Sequence, residues 1–406
     1  MVNAKKAATL VLNAGSSSLK FKVFEETGSG ALKALASGNI ERIGDLKASK
    51  LKAKIGDVSS EIPEPLPDHT AALGLVSRFL ADTFSSSFND TVTGVGHRVV
   101  HGLHISDPVL VTPEVKATIR SGADLAPLHN PANLMGIEAA ELAFTKAAHV
   151  AVFDTAFHAT LPERAYLYAL PRALIDERKI RRYGFHGTSY KYLTDAAAAA
   201  LGKAPAELNA ILLHLGAGSS MCAVEGGRSV ETTMGLTPLA GLVMGTRSGD
   251  VDPAVVGYLT SHGKTPAEAD KVLNKESGFL GLTGTSDVRV VLDRADQGEP
   301  LATAAMDVFT HRICQYVAAY THALRGNVDA LVFSAGIGEN APRVRTRVAR
   351  ELAWAGVKID EDKNAQAVGT FGDITAPGSS VKVLVVPTDE ELSIAIQTHD
   401  VIAAAH

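Results

Sequence analysis

Two stretches of this chain echo each other closely enough to limit what it can fold into. "LVLNAGSSSLKFKV" (10–23) and "ILLHLGAGSSMCAV" (211–224), aligned on Gly15 and Gly216, each run from an apolar strand through a polar residue and a turn of glycine and serine into a second strand. The copies lie about half a chain apart. This pattern predicts two α/β halves of common design, each presenting a glycine-serine hairpin, and a cleft between them would enclose a nucleotide. Each stretch alone has a plainer reading as a tight hairpin, because glycine and serine are common turn residues.

The remaining sequence fits an α/β architecture, with strand-like runs alternating with helical patterns. Strands are expected near 9–13, 19–24, 92–100, 149–153, 210–215, 328–333 and 381–386. Helices are expected near 114–121, 131–145, 188–201, 302–325 and 342–355. In "NPANLMGIEAAELAF", Asn130 is expected to cap a helix whose first turn holds Pro131. Residues 45–70 are polar and carry Pro63, Pro65 and Pro67, which reads as a surface excursion.

A length of 406 residues suggests two domains. Hydrophobic residues at 46% and charged residues at 20% describe a globular chain with a large core. The net charge of -5 argues against a nucleic-acid partner, which needs a basic patch. No run approaches the ~18 apolar residues of a membrane span. Two lysines precede a short apolar run at the N-terminus, but the run ends on Asn13 rather than at a cleavage site. Cys222 and Cys314 fit no disulfide framework or metal spacing. A cytoplasmic protein is expected.

Three cations stand out. "GVGHRVVHG" sets Arg98 on a strand beside His97 and His101, "RYGFHGTSY" places His186 between glycines, and "TTMGLTPLAGLVMGTRSGDVDP" holds Arg247 in a glycine-rich turn. An arginine at a strand end is usually a surface residue. A guanidinium among glycines in apolar sequence can instead take a carboxylate or phosphate through paired hydrogen bonds. His101, His129 and His214 read as readily as structural histidines. Acids end two apolar strands: Asp154 in "AVFDTAFH", and Asp389, Glu390 and Glu391 in "VLVVPTDEELS". Such carboxylates could hold a magnesium–nucleotide complex. They could equally cap a turn or favour the first turn of a helix. A third glycine turn, "ALVFSAGIGENAPRVR" (330–345), follows a strand, and none of the three turns has the G-x-x-x-x-G-K-[ST] pattern of a P-loop.

Together with "APLHNP", "GLTGTSDVR" and "PTDEEL", these strings come in the order and spacing of the acetate kinase family, which the chain resembles from about residue 9 to 397. The resemblance implies two duplicated actin-like (ribonuclease H-like) ATPase domains with a nucleotide cleft between them. It implies an N-terminal domain over 1–155, with a C-terminal helix 389–406 packing back onto it, and a nucleotide-binding domain over 156–388. It also implies phosphoryl transfer from ATP to acetate, giving acetyl phosphate and ADP. Magnesium, or manganese in its place, would be the cofactor, and a homodimer is expected.

By the same resemblance, Asp154, His186 and Arg247 are catalytic, and Arg98 binds the substrate. Val100, Leu128, Phe185 and Pro238 would line the pocket for its methyl group. Lys20, the segment His214, Leu215, Gly216, Ala217 and Gly218, the triplet Asp287, Val288 and Arg289, and the run Gly336, Ile337, Gly338, Glu339 and Asn340 would bind ATP. Asn13 and Glu390 would serve the metal. The chain departs from the family pattern at Leu103, Tyr190, Ala217 and Asp389, which leaves nucleotide affinity open. A propionate kinase is the neighbouring alternative. A non-catalytic nucleotide switch on the same fold is more remote, because it has no use for Arg98, His186 and Arg247.

Overall fold

A computed structural model describes residues 7–27, 30–127 and 129–405. The chain divides into two compact units, Met1–Phe157 with Asp389–His406, and His158–Thr388.

The first unit is built on strands β1 (Ala8–Gly15), β2 (Ser18–Glu26), β3 (Leu32–Glu41), β4 (Lys50–Ile55), β5 (Val58–Pro63), β6 (Val92–Val99), β7 (Val109–Leu110) and β8 (Ala148–Phe153). Their order in the sheet is β5-β4-β3-β2-β1-β6-β8-β7. β1 pairs antiparallel with β2 and parallel with β6, and β6 pairs parallel with β8. The period of two in β1 decides how the layers stack. Leu10 and Leu12 face a core that includes Leu73, Val76 and Leu80 of the helix His69–Thr83. Val11 faces the opposite way, with Val150 and Val152, toward Ile394 and Ala395 of the helix Glu390–Ala404. That helix needs the glycines of "GVGHR": a Cβ on Gly94 would stand 2.7 Å from Ile402 Cδ1, and one on Gly96 2.8 Å from Ile394 Cγ2.

The second unit holds β9 (Ala210–Leu215), β10 (Ser219–Glu225), β11 (Arg228–Thr232), β12 (Ala330–Ser334), β13 (Gly372–Asp373) and β14 (Lys382–Val385), ordered β11-β10-β9-β12-β14-β13. β9 pairs antiparallel with β10 and parallel with β12, and β12 pairs parallel with β14. The arrangement β3-β2-β1-β6-β8 therefore recurs as β11-β10-β9-β12-β14, with the two echoing stretches at matching places. Ile211, Leu213, Leu331 and Phe333 pack with Phe309 and Ile313 of the long helix Pro300–Ala323.

Two local expectations are corrected. Residues 45–70 are not an excursion, because they contain β4 and β5, which extend the sheet. Leu51 and Ala53 point into the core while Lys50, Lys52 and Lys54 point outward, so a strand of an antiparallel sheet buried on one face only reads as polar. Asn130 does not cap the helix Asn130–Ala143. His129 occupies the cap position, and the buried Asn130 side chain is committed elsewhere.

Candidate active site

In the first unit, parallel pairing sets Arg98 of β6 level with Val152 of β8, so the guanidinium reaches Asp154 just past the end of β8. The contact is bidentate: Arg98 Nε donates to Asp154 Oδ1 at 3.1 Å and Nη2 to Oδ2 at 2.7 Å. Asp154 is 2% exposed, and its backbone N–H donates to the Val99 carbonyl. Burial works against the Arg98 charge, but the carboxylates of Asp154, Glu390 and Glu391 outweigh it and raise its pKa. Glu390 and Glu391 form the first turn of the helix Glu390–Ala404, where the N-terminus favours negative charge. Asp389 caps that helix by accepting from Leu392 N, and Lys22 pairs with the same carboxylate at 2.7 Å. Burial raises the Glu390 pKa; Asp154 and Glu391 add to the shift, while Arg98 and Lys20 oppose it. Lys20 of β2 stands across from Asn13 of β1, at the sheet end where β6 carries Arg98 and β8 leads to Asp154.

The loop after β6 is held by two residues that the sequence did not mark as functional. Asn130 Oδ1 accepts from His101 N, and its Nδ2 donates to the carbonyls of His101 and Ile119. Asn133 Oδ1 accepts from Val100 N while its Nδ2 donates to Ala14 O, next to the first hairpin turn. One helix face thus fixes both the Arg98 loop and the first hairpin. The only sequence signal was the Asn-Pro pair, which local chemistry assigns to a cap.

In the second unit, β9 and β10 enclose the turn Gly216-Ala217-Gly218, and the side chains of Arg247 and His186 converge on it. A Cβ on Gly218 would stand 2.5 Å from Arg247 Nη2 and so displace the guanidinium, and 3.6 Å from His186 Nε2, an ordinary contact. Arg247 Nη1 donates to Pro238 O at 2.5 Å, and Gly245 N donates to Ala217 O, which ties the arginine's loop to the turn. Burial lowers the Arg247 pKa. His186 sits at φ +58°, a left-handed conformation costly for a side chain with a Cβ. Its Nδ1 meets Ser220 Oγ at 2.8 Å, and its ring stacks on that of His214 with centroids 4.1 Å apart.

Beside this turn lies a cavity of about 420 Å³ whose lining includes Gly216, Ala217, Asp287, Val288, Arg289, Gly336, Ile337 and Asn340. Three separate sequence segments are thereby brought together. Asp287 caps the helix Val288–Asp296 and pairs bidentately with Arg289. Five residues named with them, His214, Leu215, Gly218, Gly338 and Glu339, do not line this cavity. Leu215 is fully buried in the core, the Gly338 carbonyl accepts from Arg345, and the Glu339 carboxylate accepts from Ala335 N and Thr388 N. Arg345 is itself fully buried, with its donors spent on the carbonyls of Gly338, Glu339, Asn364 and Ala367 and on Asn364 Oδ1. No short motif announced it.

Of the residues expected to line a methyl pocket, Val100 is buried in the first unit, while Phe185 and Pro238 belong to the second, with Phe185 buried. Leu128 lies outside the described residues. Among the described residues, no three His, Cys, Asp or Glu side chains gather as a metal cage. The oxygen donors of Asn13, Asp154 and Glu390 nevertheless suit magnesium, which commonly takes one or two carboxylates and completes its shell with waters and phosphates. Burial raises the Glu390 pKa, with Asp154 and Glu391 adding to it, and a bound divalent cation would favour the ionised carboxylate there.

Two sheets repeating one strand arrangement, and the close likeness to a solved acetate kinase, define a two-unit phosphotransferase of the actin-like ATPase fold. The sequence profile of the acetokinase family matches residues 8–396, and the chain belongs to that family. It is 49% identical over 400 residues to an acetate kinase of Leifsonia xyli, covering 98% of this chain and 100% of the relative. A crystal structure of Porphyromonas gingivalis acetate kinase superposes with a TM-score of 0.90 at 40% identity, covering 98% of this chain and 100% of that one. A propionate kinase from Francisella tularensis superposes with a TM-score of 0.90 at 38% identity, covering 97% and 99%.

Proposed function

We propose that this chain transfers the γ-phosphoryl group of ATP to acetate, reversibly, giving acetyl phosphate and ADP. One acetate oxygen forms the new P–O bond as the bond to the ADP oxygen breaks. The observation that carries this reading is the convergence of Arg247 and His186 on the Gly216–Gly218 turn beside the nucleotide-sized cavity.

A small carboxylic acid has a pKa of about 4, so at neutral pH the nucleophile is already an anion and no general base is required. The difficulty is repulsion between that anion and the γ-phosphate. Arg98 would take the acetate carboxylate with the N–H groups not turned toward Asp154. Arg247, His186 and Lys20 would offset the charge of the transferring group, which is the main task in phosphoryl transfer. Asn13, Asp154 and Glu390 would hold magnesium, which supplies charge neutralisation to the phosphates when bound. In this reading Asp154 orients Arg98 and the metal site and moves no proton.

Propionate is the neighbouring substrate, favoured by the likeness to a propionate kinase. A homodimer is supported by the helix Ala254–Ser261, which has no buried residue although Val256 and Tyr258 are apolar and exposed. A cytoplasmic location is supported by the use of ATP and by the free thiols of Cys222 and Cys314. No described helix is long and apolar enough to cross a membrane.

The reverse reaction tests this reading. The protein with ADP, magnesium and acetyl phosphate is expected to produce ATP, measured as luciferase light. Light at the level of a protein-free control would overturn the assignment.

A further inference from the structure

We infer that Ser189 and Thr388 are positioning residues that set the tautomer of His214, and through it the donors facing the phosphate turn. This rests on the reading of the second unit as the nucleotide half of an acetate kinase. Neither hydroxyl belongs to the residues expected to touch substrate.

A hydrogen-bonded line runs through the interior of the second unit. Its first member, Glu339, lies in the helix Ala335–Asn340 that forms one wall of the nucleotide cavity. The Glu339 carboxylate does not face that cavity; Oε1 accepts from Ala335 N at 2.7 Å and from Thr388 N at 3.0 Å. Ala335 is held at φ +63°, unusual for a residue with a Cβ, so this carboxylate secures a strained turn and the segment after β14 together. Thr388 Oγ1 lies 2.9 Å from Ser189 Oγ, and Ser189 Oγ lies 2.9 Å from His214 Nδ1. Ser189 is fully buried. His214 stacks on His186 with an interplanar angle of 18°.

Two hydroxyl protons serve the two contacts of this line. If Thr388 donates to Ser189 and Ser189 donates to His214 Nδ1, the imidazole proton resides on Nε2, because the hydrogen bond at one ring nitrogen fixes the state of the other. His214 Nε2 lies 3.9 Å from the place of a Cβ on Gly216, and His186 Nε2 lies 3.6 Å from that on Gly218. Both Nε2 atoms thus stand at the same turn. The line therefore ties the nucleotide wall to a donor beside the phosphates, and buried chains of this kind reinforce one another when every member is satisfied.

The test is a long-range proton–nitrogen NMR spectrum of the ¹⁵N-histidine-labelled resting protein, read with steady-state kinetics. Wild type is expected to show His214 as the Nε2–H tautomer. Ser189→Ala is expected to give mixed tautomers and a kcat lower by about 10-fold, less than the ~100- to 1,000-fold of a lost direct donor. The acetate KM should stay within about twofold in that variant. Thr388→Val should act in the same direction but less, and Thr388→Ser should restore both readouts. A wild-type Nδ1–H tautomer, or a Ser189→Ala protein with unchanged tautomer and kcat, would overturn the inference. Wild type that makes no acetyl phosphate would instead defeat the functional reading, which the resting spectrum does not depend on.

Discussion

Arg98 and Asp154 form a two-point ion pair, with the aspartate almost wholly buried and the arginine's charge further favoured by Glu390 and Glu391. The pair fixes the guanidinium plane, so its remaining edge is presented in one orientation. Arg98→Ala is expected to raise the KM for acetate far more than that for ATP. Initial-rate measurements with each substrate varied in turn check this, and equal effects on both would place Arg98 at the wrong substrate.

Asp154 is expected to act by holding Arg98 and the metal site. Removing one member of a buried pair leaves the other charge uncompensated, which is strongly destabilising. Asp154→Asn should therefore stay poorly active across about pH 6 to 9, with no displaced optimum. A pH–rate profile decides the matter, since recovery at high pH would assign the residue a role in proton transfer.

Chain length should be read by the residues proposed to line the acyl pocket, Val100 among them. Val100 is buried, and one methylene in an apolar pocket changes discrimination by about 1–3 kcal/mol, or roughly 10- to 200-fold. Propionate is expected at about a tenth of the acetate specificity constant or below, with butyrate nearly inert. Val100→Ala should narrow the gap between acetate and propionate. Comparison of kcat/KM across the acids measures it, and butyrate turned over as well as acetate would remove Val100 from the pocket.

His158 gives a pH-dependent stability. It is fully buried, with Nδ1 against Ser229 Oγ and Nε2 against Phe185 O, and burial lowers its pKa from 6.5 to about 4. Between these values the unfolded chain binds a proton that the folded chain refuses, so stability falls as pH drops from about 6.5 toward 4. The difference corresponds to about 3 kcal/mol. Melting temperatures across this window should fall more steeply in wild type than in His158→Gln. Parallel curves would show that the histidine is not the group responsible.

What could be read from the sequence was local. The apolar run of β1 and the glycine-serine turns are short-range signals, and they placed the two hairpins; the succession of strand-like and helical patterns gave the α/β architecture. Asn130 was read as a cap because Asn-Pro is a local cap pattern, while its real partners, His101 and Ile119, are set by tertiary packing. The prolines near residue 65 concealed β4 and β5, whose outward faces are lysine, serine and glutamate. Arg98 and Asp154 each stood out, but their pairing depends on the register of β6 against β8. The buried Arg345 carries no motif, because its partners are mostly backbone carbonyls, drawn from two other segments.

The central claim is that a carboxylate attacks the γ-phosphate of ATP at this site, and trapping the product with hydroxylamine tests it most directly. The protein is incubated with ATP, magnesium, hydroxylamine and, separately, acetate, propionate, butyrate and formate, and the hydroxamate is measured as its ferric complex. Acetate should give the fastest ATP-dependent hydroxamate formation, propionate less, and butyrate little. Release of ADP without hydroxamate from any of the acids would contradict the account, because the protein would then hydrolyse ATP without phosphorylating a carboxylate.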